Sequence, residues 1–168
     1  VINVPGSAMG LAIITVIGRC IGAGDTRQAV HYTKLLVGCS YLSMLIMGSA
    51  LFFSADFLAT LFNLSPEAMA MASQVLKFCA IANMLFWPMA FTLPNSLRAA
   101  GDAVFTMAVS LTTMFVCRVA LSYVFACSWG LGLGLLGVWL AMFCDWIVRA
   151  VCFLWRYWRG SWKKIRVI

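Results

Sequence analysis

Charged side chains are absent from residues 1–18 and again from residues 35–55. Lys77 is the single charge between Glu67 and Arg98, and Arg118 the single charge between Asp102 and Asp145. About 20 consecutive apolar residues suffice to cross a bilayer as a helix, and each quiet stretch has that length. In lipid the backbone must satisfy its own hydrogen bonds, which leaves helices or closed barrels. These runs are continuous rather than alternating, so barrel strands are disfavoured. Composition points the same way. Of 168 residues, 64% are hydrophobic and 10% charged, against about 45–50% and about 25% in a soluble domain. The mean hydropathy is +0.98. The expectation is an all-α integral membrane protein, with little chain left for a soluble domain.

The last apolar stretch is too long for one crossing. It breaks at Ser128-Trp129-Gly130-Leu131-Gly132-Leu133-Gly134, a glycine cluster that reads as a turn. Five spans result, at 1–20, 35–55, 68–92, 103–127 and 135–155, with 156–168 as a basic tail. Residues 25–34 read as an interfacial helix start with Asp25 as its N-cap. Residues 54–62 are apolar but short, and are expected at the bilayer surface. In Asn63-Leu64-Ser65-Pro66-Glu67, Ser65 reads as a helix cap and Pro66 as the first helical residue.

The net charge is +7, and the placement of the charges decides what it means. With the C-terminus in the cytoplasm, inner segments hold Arg19, Arg27, Lys34, Arg98, Arg156, Arg159, Lys163, Lys164 and Arg166. Lys77, Arg118 and Arg149 are intramembrane, and outer segments hold only Asp56 and Glu67. That is a positive-inside pattern, so the basic tail is expected to face anionic lipid rather than nucleic acid. Trp155, Tyr157, Trp158 and Trp162 fit an inner aromatic belt and Trp129 an outer one. This topology places Val1 outside. The chain opens there within an apolar run, without Met or a signal peptide, and is expected to be a piece of a longer protein.

The seven cysteines are Cys20, Cys39, Cys79, Cys117, Cys127, Cys144 and Cys152. They lie in or beside apolar runs, form no CxxC, and have one histidine, His31, for company. They read as small apolar filler. No Walker loop, Ser/His/Asp set or catalytic carboxylate pair can be assembled, so an enzyme is not expected, nor a metal or other cofactor. Gly18 and Gly22 form a GxxxG spacing of the kind that lets helices approach closely.

Polar groups inside the membrane are costly and therefore informative. Asp145 and Arg149 are four apart and share a helix face, reading either as a structural tie or as a gating element. Arg118 needs a partner, and Asp145 is the nearest acid by depth. Lys77 can extend its stem outward to water or line a substrate path. Asn83, Met84, Trp87 and Pro88 fall in the third span, with Pro94 further on. Two prolines should interrupt its backbone ladder. The bend serves packing, or lines a cavity as broken helices do in transporters. Met44, Met47, Met69, Met71, Met84, Met89, Met107 and Met114 supply adaptable surface.

Several segments together resemble the C-terminal half of the multidrug and toxic compound extrusion (MATE) family. Gly18-Arg19-Cys20-Ile21-Gly22-Ala23-Gly24-Asp25 is similar to the inner end of the family's eighth helix, with Arg19 in place of the usual Gln. Leu61-Phe62 with Pro66-Glu67 resembles the outer turn between helices nine and ten. Leu97-Arg98-Ala99-Ala100-Gly101-Asp102 resembles the inner loop before helix eleven, and Arg118 falls within that helix. Gly134-Leu135-Leu136-Gly137-Val138-Trp139 resembles the entry to helix twelve, and Asp145, Arg149 and Trp162 extend the match.

The resemblance implies helices eight to twelve of a twelve-helix, two-lobe transporter. Such an antiporter exports drugs or other organic compounds, cationic ones foremost, in exchange for H⁺ or Na⁺ by alternating access. The expected partners are an N-terminal lobe of the same protein, the substrate, the coupling ion and the bilayer of a bacterial inner membrane. Some relatives carry an acidic cation ligand in the tenth helix. The stretch 68–92 has no Asp or Glu, and Trp87 falls near that place, so the coupling acid is expected in the first lobe, with H⁺ ahead of Na⁺. The alternatives are a related flippase for lipid-linked saccharides and a truncated, non-transporting interaction protein.

Overall fold

A computed structural model describes residues 3–60, 65–127 and 132–164 of the chain. The sequence readings on 61–64, on Ser128 to Leu131 with Trp129, and on Arg166 lie outside the described residues, as do the side chains of Lys163 and Lys164. Five helices are long and apolar enough to cross a membrane. They are α1 (Val4–Gly22), α2 (Thr26–Thr60), α3 (Pro66–Ala99), α4 (Ala103–Ala126) and α5 (Gly134–Arg159). A 3₁₀ turn, Ser161–Lys164, follows α5, and no strand occurs among the described residues.

The helix ends follow from local chemistry. At α1, the Asp25 N–H reaches back to the Cys20 carbonyl and the Gly24 N–H to that of Ile21. The same two bonds recur after α3, from Asp102 to Leu97 and from Gly101 to Arg98. This doubled C-terminal bond needs a left-handed residue. Gly24 (φ 76°) and Gly101 (φ 90°) supply it, which is the physical content of the two Gly-Asp motifs. Asp25 then caps α2, its Oδ1 accepting the Gln28 N–H at 2.9 Å. Ser65 caps α3 by accepting the Ala68 N–H, with Pro66 as the first helical residue.

α2 differs from the expected 35–55 span. It is one 35-residue helix, about 52 Å long at 1.5 Å per residue. It absorbs both the 25–34 segment and most of the 54–62 segment read as interfacial. The cause is a buried stripe running its whole length: Ala29, Thr33, Val37, Ser40, Met44, Gly48, Ala55 and Ala59. Lys34 and Asp56 lie off that stripe, so they end the apolar run in sequence without ending the helix. α5 likewise passes 155 and stops only at Gly160 (φ 69°).

α3 touches α1, α2 and α5, while α4 packs chiefly on α5. α5 buries Gly137, Ala141, Asp145, Arg149 and Phe153 at strict four-residue intervals, with Trp146 and Ala150 beside them. The main apolar cluster joins Ile13 and Ile17 of α1 with Val37, Leu93, Leu97, Phe153 and Trp162. Trp162 is 2% exposed, stacks on Tyr157 at 5.4 Å and donates its Nε1–H to the Tyr157 carbonyl.

The GxxxG spacing at Gly18 and Gly22 brings no helices together among the described residues. A Cβ on Gly18 or Gly22 would meet nothing within 4 Å, so no helix of the described residues approaches there. The close approaches occur at Gly6 against Trp87, Gly10 against Asn95, Gly48 against Met84, and Gly137 against the Phe125 backbone.

Candidate functional site

Two of the five helices are locally widened into π turns. In α3 the segment is Pro88–Thr92, closed by Leu93 N–H donating to the Pro88 carbonyl five residues back. The anticipated interruption at Pro88 thus takes this form, because proline has no N–H for the carbonyl one turn earlier. Neighbouring helices hold the segment. The Tyr41 hydroxyl donates to the Leu85 carbonyl at 3.1 Å, the Ser40 and Thr92 hydroxyls are 3.1 Å apart, and Thr92 Oγ1 also reaches the Gly6 carbonyl. In α4 the π segment is Met114–Ala120, closed by Leu121 onto Val116. No proline marks it.

Between the two segments sits the Asp145–Arg149 pair. Arg149 Nε donates to Asp145 Oδ1 at 2.8 Å, and the two side chains are 11% and 0% exposed. Arg149 Nη2 donates to the Ser110 carbonyl at 3.0 Å, in the turn before the α4 π segment. Its guanidinium carbon lies 5.6 Å from the Phe91 ring centroid, within the α3 π segment. One side chain therefore contacts both widened helices. π turns concentrate at functional sites, which makes this junction the candidate.

An aromatic wall extends from it. Trp87 stacks on Phe91 at 4.1 Å, and Trp146 meets Trp87 edge-on at 5.7 Å. Phe143 continues the wall at 5.8 Å from Trp146. Asn83, one turn before Trp87, is 1% exposed, and its Nδ2 donates to the Cys79 carbonyl at 2.8 Å. Four buried polar atoms here have no hydrogen-bond partner among the described residues: Asn83 Oδ1, Trp87 Nε1, Trp146 Nε1 and Asp145 Oδ2. Such groups carry a desolvation cost unless something pairs with them. Trp87 Nε1 lies against the Gly6 backbone of α1, so the wall packs between helices.

The structure thus joins Asn83, Trp87, Pro88, Asp145 and Arg149 and separates three other candidates. Met84 faces α2, packing over Gly48. Lys77 grips both Asp56 oxygens at 2.9 Å, and Ser73 hydrogen-bonds the same carboxylate. Arg118 is exposed, and Asp145, the acid assigned to it by depth, is held by Arg149 instead.

Arg98 and Asp102 serve the α3–α4 connection. Arg98 Nη1 donates to Asn95 Oδ1 at 3.1 Å and its Nε to Thr106 Oγ1. Asp102 leaves its capping role to bind Arg156, Nε to Oδ2 at 2.7 Å, with that guanidinium 4.6 Å from the Phe105 ring centroid. Sequence reading missed Arg156, 54 residues away. It also missed Phe91 and Trp146, although Phe91 lies one turn beyond Trp87 and Trp146 next to Asp145. Among the described residues, no group of three or more His, Cys, Asp or Glu side chains could hold a metal ion.

Five apolar helices, two of them widened around a buried ion pair, define a multi-pass α-helical membrane protein with polar groups between its helices. The sequence model of the MatE family matches residues 1–124, and the chain belongs to that family.

The chain is 24% identical over 164 residues to a probable multidrug resistance protein NorM from Thermotoga maritima, covering 98% of this chain and 35% of that protein. It is 26% identical over 156 residues to the multidrug and toxin extrusion protein 1 of Oryctolagus cuniculus, covering 93% and 27%. An uncharacterized transporter, YisQ, of Bacillus subtilis is 33% identical over 114 residues, covering 64% and 23%. The chain thus spans about a quarter to a third of the length of these relatives. No solved structure gives a significant match.

Proposed function

We propose that these five helices are helices eight to twelve of a two-lobe secondary active exporter, which expels drugs or other organic compounds, cationic ones foremost, in exchange for H⁺ or Na⁺. Residues 1–155 are its membrane part and 156–168 a basic cytoplasmic tail, in a bacterial plasma membrane. The observation that carries this reading is membership of the MatE family, together with two relatives named for multidrug resistance and extrusion. Transport, not catalysis, is the activity.

In this reading α3 lines the substrate path, with Asn83, Trp87 and Pro88 at its bend. Arg149 ties the two widened helices, so rocking of the lobe carries both together. α3 has one acid, Glu67, in its first turn, and Asp145 is bound to Arg149. The coupling acid is therefore assigned to the first lobe, with H⁺ favoured as the ion. The five helices alone do not transport, because the cavity forms between lobes. A flippase for anionic saccharide carriers needs several uncommitted cations. Lys77 and Arg149 are committed to Asp56 and Asp145, which leaves that alternative weaker.

The test is efflux of a fluorescent organic cation from cells expressing the product of the native gene. Export that collapses with the pH gradient and weakens on Trp87→Ala supports the reading. Export that follows Na⁺ independently of pH overturns the choice of ion, and absence of export overturns the exporter.

A further inference from the structure

The charges at membrane depth do not balance. Three basic residues, Lys77, Arg118 and Arg149, lie within α3, α4 and α5, and two acids pair with two of them: Asp56 with Lys77 and Asp145 with Arg149. Among the described residues Arg118 has no acidic partner. It is exposed, in the middle of the α4 π segment, with Phe115, Val116 and Val119 exposed around it. On the next turn the Ser122 hydroxyl is already donated to the Val119 carbonyl at 2.7 Å.

Distance rules out an easy escape to water. Arg118 stands 15 residues from the start of α4 at Ala103 and 8 from its end at Ala126, roughly 22 Å and 12 Å along the axis. Side chains on a helix lean toward its N-terminus, so this guanidinium leans along the longer path, away from the nearer end. An arginine stem covers part of such a distance but not all of it. A lone charge held there is expensive and faces a partner or a water-filled cavity.

We propose that Arg118 forms an ion pair with a carboxylate on a membrane helix outside these 168 residues. A guanidinium offers a planar fork of donors that a carboxylate matches with two parallel hydrogen bonds. The exposed face of α4 around Arg118 is then an interface, and the missing acid is its registration point. The inference deepens the two-lobe reading above, but its readout does not depend on transport.

The experiment uses the full product of the native gene with a fluorescent tag, and measures its melting temperature in detergent for Arg118→Lys, Arg118→Gln and Arg118→Glu. The proposal expects a fall of about 3 °C or more for Gln, a larger fall for Glu, and partial recovery with Lys. Second-site changes that rescue the accumulation of R118E should neutralise or reverse one acidic residue in a membrane helix. A melting temperature that Gln leaves unchanged or raises overturns the proposal and points to lipid phosphate or water as the neighbour. So do rescuing changes that never fall on an acid. A native protein that exports nothing, with Arg118 variants that melt as expected, would count against the exporter reading alone.

Discussion

Replacing Asp145 by Asn removes one charge from a pair that has almost no access to water. The Asp145 side chain is fully buried, and Arg149 is 11% exposed. Breaking a buried pair by deleting one partner costs about 3–5 kcal/mol, most of it from stranding the other charge. Here Arg149 keeps its bond to the Ser110 carbonyl and its place beside Phe91, so the lower end applies, about 3 kcal/mol. In the full product of the native gene each kcal/mol moves the midpoint by about 1–2 °C, less than in a chain of about 150–250 residues, so the melting temperature should fall by roughly 3–6 °C. The assay is fluorescence-detected size exclusion after stepwise heating. The double variant Asp145→Leu with Arg149→Met removes both charges and should recover most of the loss. A single variant within about 2 °C of the native protein, or a double variant no better than the single one, would refute the view of Arg149 as a guanidinium that needs its acid.

Gly137→Ala places a Cβ 2.6 Å from the Phe125 carbonyl carbon and oxygen; this should cost about 1–3 kcal/mol, read as a lower melting temperature, while Gly18→Ala should be neutral or stabilising. Asp102→Asn should lose about 1–2 kcal/mol in the same assay, since it weakens the Arg156 bond that joins α4 to α5. Lys77→Met should leave the melting temperature nearly unchanged, because its partner Asp56 lies one turn from the end of α2 at Thr60, where the Lys77 stem carries its charge out to water, and ion pairs in reach of water contribute little.

Local signals proved readable in the sequence. The Asp25 and Ser65 caps and the break at Pro88 each depend on a few neighbouring residues, and the structure has all three. The Asp145–Arg149 pair is equally local, set by four-residue spacing. Boundaries drawn from charge alone were less secure. Lys34 and Asp56 sit off the buried stripe of α2, and that stripe, not the charges, sets how far the helix runs.

Long-range partners left no local trace. Asp102 and Arg156 meet only because α4 and α5 pack together, and Arg149 reaches Ser110 across the same interface. The glycines show the same limit. Spacing singled out Gly18 and Gly22, yet close approach occurs at Gly6, Gly10, Gly48 and Gly137, wherever a neighbouring helix happens to cross. The π segment around Arg118 carries no proline to announce it.

The central claim is that these helices serve a proton-driven exporter of organic compounds. The most direct measurement places the purified product of the native gene in liposomes loaded with a fluorescent organic cation, and imposes gradients of pH and of Na⁺ separately. The account predicts that the pH gradient alone drives movement of the cation, and that a protonophore abolishes it. Movement driven by Na⁺ alone, or none under either gradient, would contradict it.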